Sequence, residues 1–296
     1  MHVMLGYLLQ QVSNYEKFLD THEFYYEPKI DGIRAITFPD GSVYSRYGNR
    51  LNVNFSDLKI PKGFVLDGEI ISKEGFYKSG VIKAKHKQVN LKGIRYYIFD
   101  IIPEETVKKG KTYEKSIEER KLMLNDIKKL NKSISYVTFL TELKKYKDGK
   151  NFKKLLKQFE NYEGYVLKQV KSIYIPRRTK LWIKVKHLID IDVVVVGFEI
   201  SKKLPNAIAA IIVKYKNHEF KVGTGFTEKQ RQVLYQLQNE LIGSVINISA
   251  LEITPYGAAR HNSFNYFNCS IPKKLKKILC QYQLVKPDCC FEKKEF

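Results

Sequence analysis

The chain has 296 residues, with 52 Lys or Arg against 31 Asp or Glu, a formal charge of +21. That length suits two ordinary domains, and a composition of 44% hydrophobic and 13% aromatic residues excludes a wholly disordered chain. The charge points to a polyanionic partner, nucleic acid first and an anionic membrane surface second, although a Lys-rich composition also fits an AT-rich coding sequence. No stretch approaches the ~18 continuous apolar residues of a membrane span. The opening MHVMLGYLLQQV has neither a basic leader region nor a small-residue cleavage site, so an intracellular protein without signal peptide is expected.

Along the first half, short β-rich runs alternate with turn signals. FYYEPK, AITF, SVYSR, FVLDGEII and RYYIFDII read as strands, separated by PDG, PKG and KEG turns. A helix begins at Ser116, with Glu119 placed to complete a capping box, and Met123, Ile127 and Leu130 share one of its faces. A second helix carries Phe152, Leu155, Leu156 and Phe159 at core spacing. The strands EGYVLKQV and LWIKVKH follow.

The composition changes near residue 189, which sets the expected domains at 1–188 and 189–296. IDVVVVGFEI reads as a fully apolar strand. AIAAIIVKY, HEFKVGTGF, a helix from Thr227 to Leu241 with Gln230 in capping-box position, and SVINISALEI come next. Several strands and one helix in so short a span fit a small Greek-key barrel of the oligonucleotide-binding type. The tail KKLKKILCQYQLV places Leu275, Ile278, Leu279 and Tyr282 on one helical face and its lysines outward. The four cysteines, Cys269, Cys280, Cys289 and Cys290, lack paired CxxC spacing and have no His among them. Reduced thiols are expected there rather than a zinc site.

The sharpest local feature is Lys29-Ile30-Asp31-Gly32-Ile33-Arg34, directly after an apolar strand. A lysine at a strand end, followed by a Gly turn and an arginine, suits a nucleophile that attacks a phosphate. The attacking amine must be neutral, and nearby cations and partial burial favour that form. An ordinary turn with surface charges would show the same residues.

The pattern recurs in company. With Ser45-Arg46-Tyr47-Gly48, Asp67-Gly68-Glu69, Tyr97-Ile98-Phe99-Asp100, Glu163-Gly164-Tyr165-Val166-Leu167-Lys168 and Trp182-Ile183-Lys184-Val185-Lys186, the chain resembles the covalent nucleotidyltransferases: DNA ligases, RNA ligases and mRNA capping enzymes. Six elements in the family's order on strand ends outweigh the bland reading each has singly. The resemblance implies an α+β fold: a nucleotidyltransferase domain of antiparallel sheets with flanking helices, followed by a C-terminal OB-fold barrel. It implies Lys29 as the residue that becomes AMP-lysine, Lys184 and Lys186 on the α-phosphate, and Phe99 stacked on the purine. Arg34 would bind nucleotide phosphate, Arg46 the 5′-phosphate of a nick, and Glu69 the ribose or a metal. Glu163 would bind Mg²⁺ or Mn²⁺, with Asp67 a further candidate. Glu27, two residues before Lys29, shares its strand face; ligases commonly have a carboxylate there that accepts from the adenine amino group, which favours ATP over GTP.

Among members of the superfamily, the resemblance is to small ATP-dependent DNA ligases of phage, viral and bacterial type. Only 28 residues precede Lys29, which disfavours the NAD-dependent class, and Ile30 stands where capping guanylyltransferases typically have Thr. VGTGFT and LEITPYGAARHNSF resemble the barrel of small DNA ligases, with Arg260 placed to orient pyrophosphate. Asn262 and Asn268 depart from that pattern. The expected activity is sealing of 3′-OH/5′-phosphate nicks in duplex DNA through lysyl-AMP, by a monomer in the cytoplasm of a bacterial or phage- or virus-infected cell. Rival readings are an RNA ligase, a capping guanylyltransferase and a non-enzymatic basic nucleic-acid-binding protein.

Overall fold

Alternating burial along short β-branched and aromatic runs builds three main sheets in the computed structural model, which describes residues 1–83, 89–146 and 152–290. The chain divides into two units, Met1–His187 and Leu188–Phe296. In the first unit, one sheet runs in the order β1 (Leu5–Leu8), β11 (Arg178–Lys186), β10 (Gly164–Gln169), β2 (Phe24–Lys29) and β9 (Lys144–Tyr146). The other runs β5 (Arg50–Asn54), β4 (Ser42–Tyr44), β3 (Ile33–Thr37), β6 (Phe64–Ser72), β7 (Ile94–Pro103) and β8 (Val137–Phe139). Their pairings are antiparallel except β1 with β11 and β7 with β8.

Apolar side chains from both sheets, among them Met4, Ile36, Val65, Ile102, Tyr174 and Trp182, form a shared core. Helices α1 (Tyr15–Thr21) and α4 (Phe152–Lys157) bring Phe18, Phe152 and Leu155 against the outer side of the first sheet. Helix α2 (Glu104–Lys109) follows β7 directly, and α3 (Ile117–Leu130) packs Leu124 and Ile127 on the second sheet.

The capping box at α3 forms as its sequence dictates: Glu119 N donates to Ser116 Oγ at 3.3 Å and Ser116 N to Glu119 Oε2 at 2.8 Å. Its buried face differs from the one expected. Leu130 is 56% exposed, whereas Ile117, Arg120, Lys121, Leu124 and Ile127 are buried. Two cations occupy core positions there because each finds buried acceptors. Arg120 donates to both Asp100 oxygens (2.8 and 3.2 Å) and to the carbonyls of Lys115 (2.6 Å) and Ser172 (3.0 Å).

The second unit is a five-stranded antiparallel sheet, β14 (His218–Val222), β13 (Ile208–Tyr215), β12 (Ile189–Ile200), β15 (Val245–Ala250) and β18 (Ser263–Phe267), with a hairpin of β16 (Glu252–Ile253) and β17 (Ala259–Arg260). Helix α5 (Glu228–Leu241), capped by Thr227 and Gln230, buries Val233, Leu234 and Leu241 in its core. Although β12 is apolar throughout its centre, only alternate residues enter that core: Val193 and Val195 are buried and Val194 is 40% exposed. Helix α6 (Lys273–Gln281) seats Leu275 and Leu279 in the same core and leaves Lys273, Lys274 and Lys277 exposed. The cysteines correct the expectation of reduced thiols. They pair as Cys269–Cys289 and Cys280–Cys290, because α6 and the turn at Pro287–Cys289 fold back beside β18 and bring all four together. Among the described residues no helix is long and apolar enough to cross a membrane.

Candidate active site

The register of three neighbouring strands assembles the site. Lys29 of β2 lies opposite Gly164 of β10, which lies opposite Lys186 of β11. One step along, Glu27, Val166 and Lys184 form the next row, and Tyr25, Lys168 and Trp182 the one after. Because side chains alternate with period two, these rows share one face of the sheet. Gly164 is required at the crossing: its φ is +139° and a Cβ there would lie 2.0 Å from the Val185 carbonyl oxygen.

The second sheet supplies the opposite wall of a cleft lined by Glu27, Lys29, Arg34, Arg46, Glu69, Phe99, Lys168, Trp182 and Lys184. Gly32 lets β3 approach β6 closely, since a Cβ at that position would sit 2.5 Å from the Ile70 carbonyl. Arg34 then pairs with Glu69 across the sheet register, while its guanidinium turns onto Asp67, with Nε to Oδ1 at 2.5 Å and Nη2 to Oδ2 at 2.6 Å. Burial would lower the Arg34 pKa, but Asp67 outweighs it and holds the group firmly protonated. Tyr174 also donates to Asp67 Oδ2 at 2.8 Å, and Asp67 is fully buried. Asp67 thus holds Arg34 and is not part of the cleft lining.

Lys29 is ion-paired to Glu163, whose other oxygen is ion-paired to Lys186. Glu163 N also donates to the Lys29 carbonyl at 3.1 Å. Burial raises the Glu163 pKa, and the two lysines more than reverse that, holding it below the ordinary carboxylate range. Glu69 behaves oppositely. Burial pushes it up to about 7, against the pull of Lys29 and Arg34 and with help from Glu163. Lys184 is lowered to about 8 by burial and then by Lys29, Arg178 and Lys186. Burial and Lys29 lower Lys186 also, with Glu163 opposing.

The far end of the cleft is aromatic. Phe99 and Trp182 meet edge to face at 6.1 Å, Arg34 lies 4.7 Å above the Phe99 ring, and Lys168 lies 4.6 Å from the Trp182 ring. Glu27 is buried between Lys168, 2.7 Å from Oε2, and Lys121, ion-paired to Oε1. Sequence reasoning assigned no role to Lys121, Lys168, Trp182, Arg120 or Tyr174. Period-two spacing is the available signal for two of them: Trp182 alternates with Lys184 and Lys186 on β11, and Lys168 lies two and four residues from Val166 and Gly164 on β10. Nothing local marks Lys121. Arg260 is in the second unit, on β17, 2.9 Å from Glu252.

The family model for the ATP dependent DNA ligase domain matches residues 4–186, which include every cleft residue named above. The chain belongs to the ATP-dependent DNA ligases. A second model, the DNA ligase OB-like domain, matches residues 201–267 of the ligase. No curated protein matches it. Solved structures share the fold. "Pmar-Lig_PreS3" is 24% identical, with 90% of this chain and 67% of the other covered and a TM-score of 0.75. A Lig E DNA ligase, described as binding DNA with a minimal scaffold, is 21% identical over 90% and 99%, at 0.69. The ATP-dependent DNA ligase of bacteriophage T7, in complex with ATP, is 19% identical over 90% and 98%, at 0.55. The α+β architecture of a nucleotidyltransferase domain followed by an OB-like domain is therefore that of this ligase.

Among the described residues no three His, Cys, Asp or Glu side chains cluster as a ready-made metal cage. Glu69 and Glu163 are coupled electrostatically to each other and to Lys29, and lysines hold both Glu163 oxygens. Two carboxylates of this kind fit Mg²⁺, which takes one or two protein oxygens and completes its shell with water and substrate phosphates.

Proposed function

We propose that the ligase joins nicked duplex DNA as a monomer, with residues 1–188 as the adenylyltransferase domain, 189–296 as the OB-fold domain and Lys29 as the nucleophile. The observation that supports this is the convergence of Lys29, Glu69, Glu163, Lys184 and Lys186 at one end of a cleft whose other end is aromatic. Lys29 Nζ attacks the α-phosphorus of ATP, the bond to the bridging oxygen breaks, and pyrophosphate leaves with the electron pair. Lys184 and Lys186 offset the charge on the α-phosphate as the bonds exchange. Lys186, already paired to Glu163, keeps that carboxylate in place when Lys29 leaves it. Glu69 and Glu163 would hold Mg²⁺, which when bound neutralises phosphate charge. Phe99 stacks on the purine, Glu27 accepts from the adenine 6-amino group, and Arg34 steadies the phosphates from its seat on Asp67.

The nick's 5′-phosphate, bound by Arg46, then takes AMP from Lys29. The 3′-hydroxyl attacks that activated phosphate and AMP departs. Arg260 orients pyrophosphate in the first step, with the segment from Lys186 to Asp192 as the hinge between domains. The deciding experiment incubates wild type and Lys29→Ala with ATP, Mg²⁺ and an end-labelled nicked duplex. Joined strand from the wild type alone is expected. Joining by Lys29→Ala at the wild-type rate would refute the assignment of the nucleophile.

A further inference from the structure

Glu27 can read a purine only if its carboxylate is fixed and has a lone pair to spare. Lys168 donates to Oε2 at 2.7 Å. Lys121 is ion-paired to Oε1, so each oxygen is held by one cation and keeps a second lone pair for a ligand in the cleft that Glu27 lines. The group that faces Oε1 is Lys121, from helix α3 behind the second sheet. The same Nζ also donates to the carbonyl of Phe99 at 2.8 Å and to that of Leu140 at 2.5 Å.

From this geometry we infer that Lys121 is a positioning residue for base selection, holding the Glu27 carboxylate and the Phe99 backbone in one arrangement that accepts a 6-amino purine. This rests on the adenine-reading role of Glu27 proposed above. A carboxylate fixed between two lysine side chains presents acceptor lone pairs in one direction, so it takes a hydrogen bond from an exocyclic amine and opposes a 6-oxo purine. The anchoring carbonyls fix the ammonium, and one of them belongs to the ring residue that faces the base. Holding that ammonium in a core position is costly. Burial lowers its pKa to about 8 despite Glu27. A leucine there would serve packing alone, so the charge has another use.

The test uses Lys121→Gln, which keeps a donor for the two carbonyls and loses the charge, and Lys121→Met, which loses both. Lysyl-AMP formation is followed with ATP, GTP and purine riboside triphosphate, which lacks the 6-amino group. The expected result is a KM for ATP raised about tenfold in Lys121→Gln with kcat within twofold, and a preference for ATP over the 6-unsubstituted analogue reduced by the same factor. The maximal rate of sealing a pre-adenylylated nick stays within twofold, which shows the fold intact. In a Glu27→Gln background the Lys121 substitutions add nothing further. Equal losses with ATP and the analogue, or the same loss in the Glu27→Gln background, overturn the inference and leave Lys121 a structural residue. If Glu27→Gln itself leaves base preference untouched, the adenine-reading role of Glu27 fails and this inference with it. Absence of labelling by the wild type would instead refute the nucleophile assignment.

Discussion

Replacing Arg120 by leucine tests how the first unit tolerates charge in its core. Arg120 and Asp100 are 0% and 1% exposed, and the guanidinium makes four hydrogen bonds, two of them to Asp100. Burial raises the Asp100 pKa, but Arg120 and the nearby lysines reverse that and keep it ionised. Removing the arginine leaves a buried anion and two carbonyls without their donor, which costs about 3–5 kcal/mol for a broken buried pair. At roughly 2–4 °C per kcal/mol for a unit of this size, the melting temperature falls by about 6–20 °C. The chain's only tryptophan, Trp182, lies in the first unit against Tyr174, whose ring Arg120 covers at 5.7 Å, so tryptophan fluorescence follows this unit alone. The double variant Arg120→Leu/Asp100→Leu recovers most of the loss, since an apolar pair avoids the desolvation cost. A drop below about 2 °C in the single variant, or a double variant no better than the single, would refute the argument.

Glu69, raised to about 7, holds a proton in acid that it would have to release in the metal-binding role proposed for it. Lysyl-AMP formation at limiting Mg²⁺ is therefore expected to rise as pH passes through 7, with a flatter profile in Glu69→Gln. Lys184 illustrates a conflict between stability and activity. Its folded pKa of about 8 lies below the ordinary 10.5, so the folded state binds fewer protons between those values and stability rises with pH across that window. Lys184→Met removes the penalty for charging it below pH 8, gaining about 1–2 kcal/mol after screening, and abolishes adenylylation; denaturant melts at pH 7 and 10 check the first part. Arg46→Ala is expected to slow nick sealing about tenfold while leaving lysyl-AMP formation unchanged, as a phosphate contact should, and a single-turnover assay separates the two. Affinity for nicked DNA should fall steeply with salt, and a flat response between 50 and 200 mM would contradict that. Reducing Cys269–Cys289 and Cys280–Cys290, which close loops of 20 and 10 residues, should destabilise the second unit by about 2–4 kcal/mol, read by circular dichroism.

The site's floor could be read from the chain because its chemistry follows a period of two. Glu27 and Lys29, then Lys184 and Lys186, alternate on strands, so register alone brings them to one face. The caps at Ser116 and Thr227 are local hydrogen-bond chemistry and equally legible. The buried face of α3 was not. Apolar spacing treats Arg120 and Lys121 as solvent-facing, and only the distant carboxylates of Asp100 and Glu27 make the core a tolerable place for them. The three-residue strands β8 and β9 and the parallel pairing of β1 with β11 likewise depend on partners far away in sequence. So does the cysteine pairing, which follows from the path of α6.

The same distances bear on how the protein emerges from the ribosome. Strand β2, with Lys29 at its end, is made early, but β10, the neighbour that faces Lys29, begins at Gly164 and β11 ends at Lys186. The strand that carries Lys29 therefore waits for more than half the chain before its sheet can close, and β1 waits longest for a partner about 170 residues away. Such non-local closure is slow and exposes unpaired edges during synthesis. Truncation after residue 160 would leave β2 paired with β9 alone, with no partner beside Lys29, while the second sheet, with all its strands complete by Phe139, could already be formed.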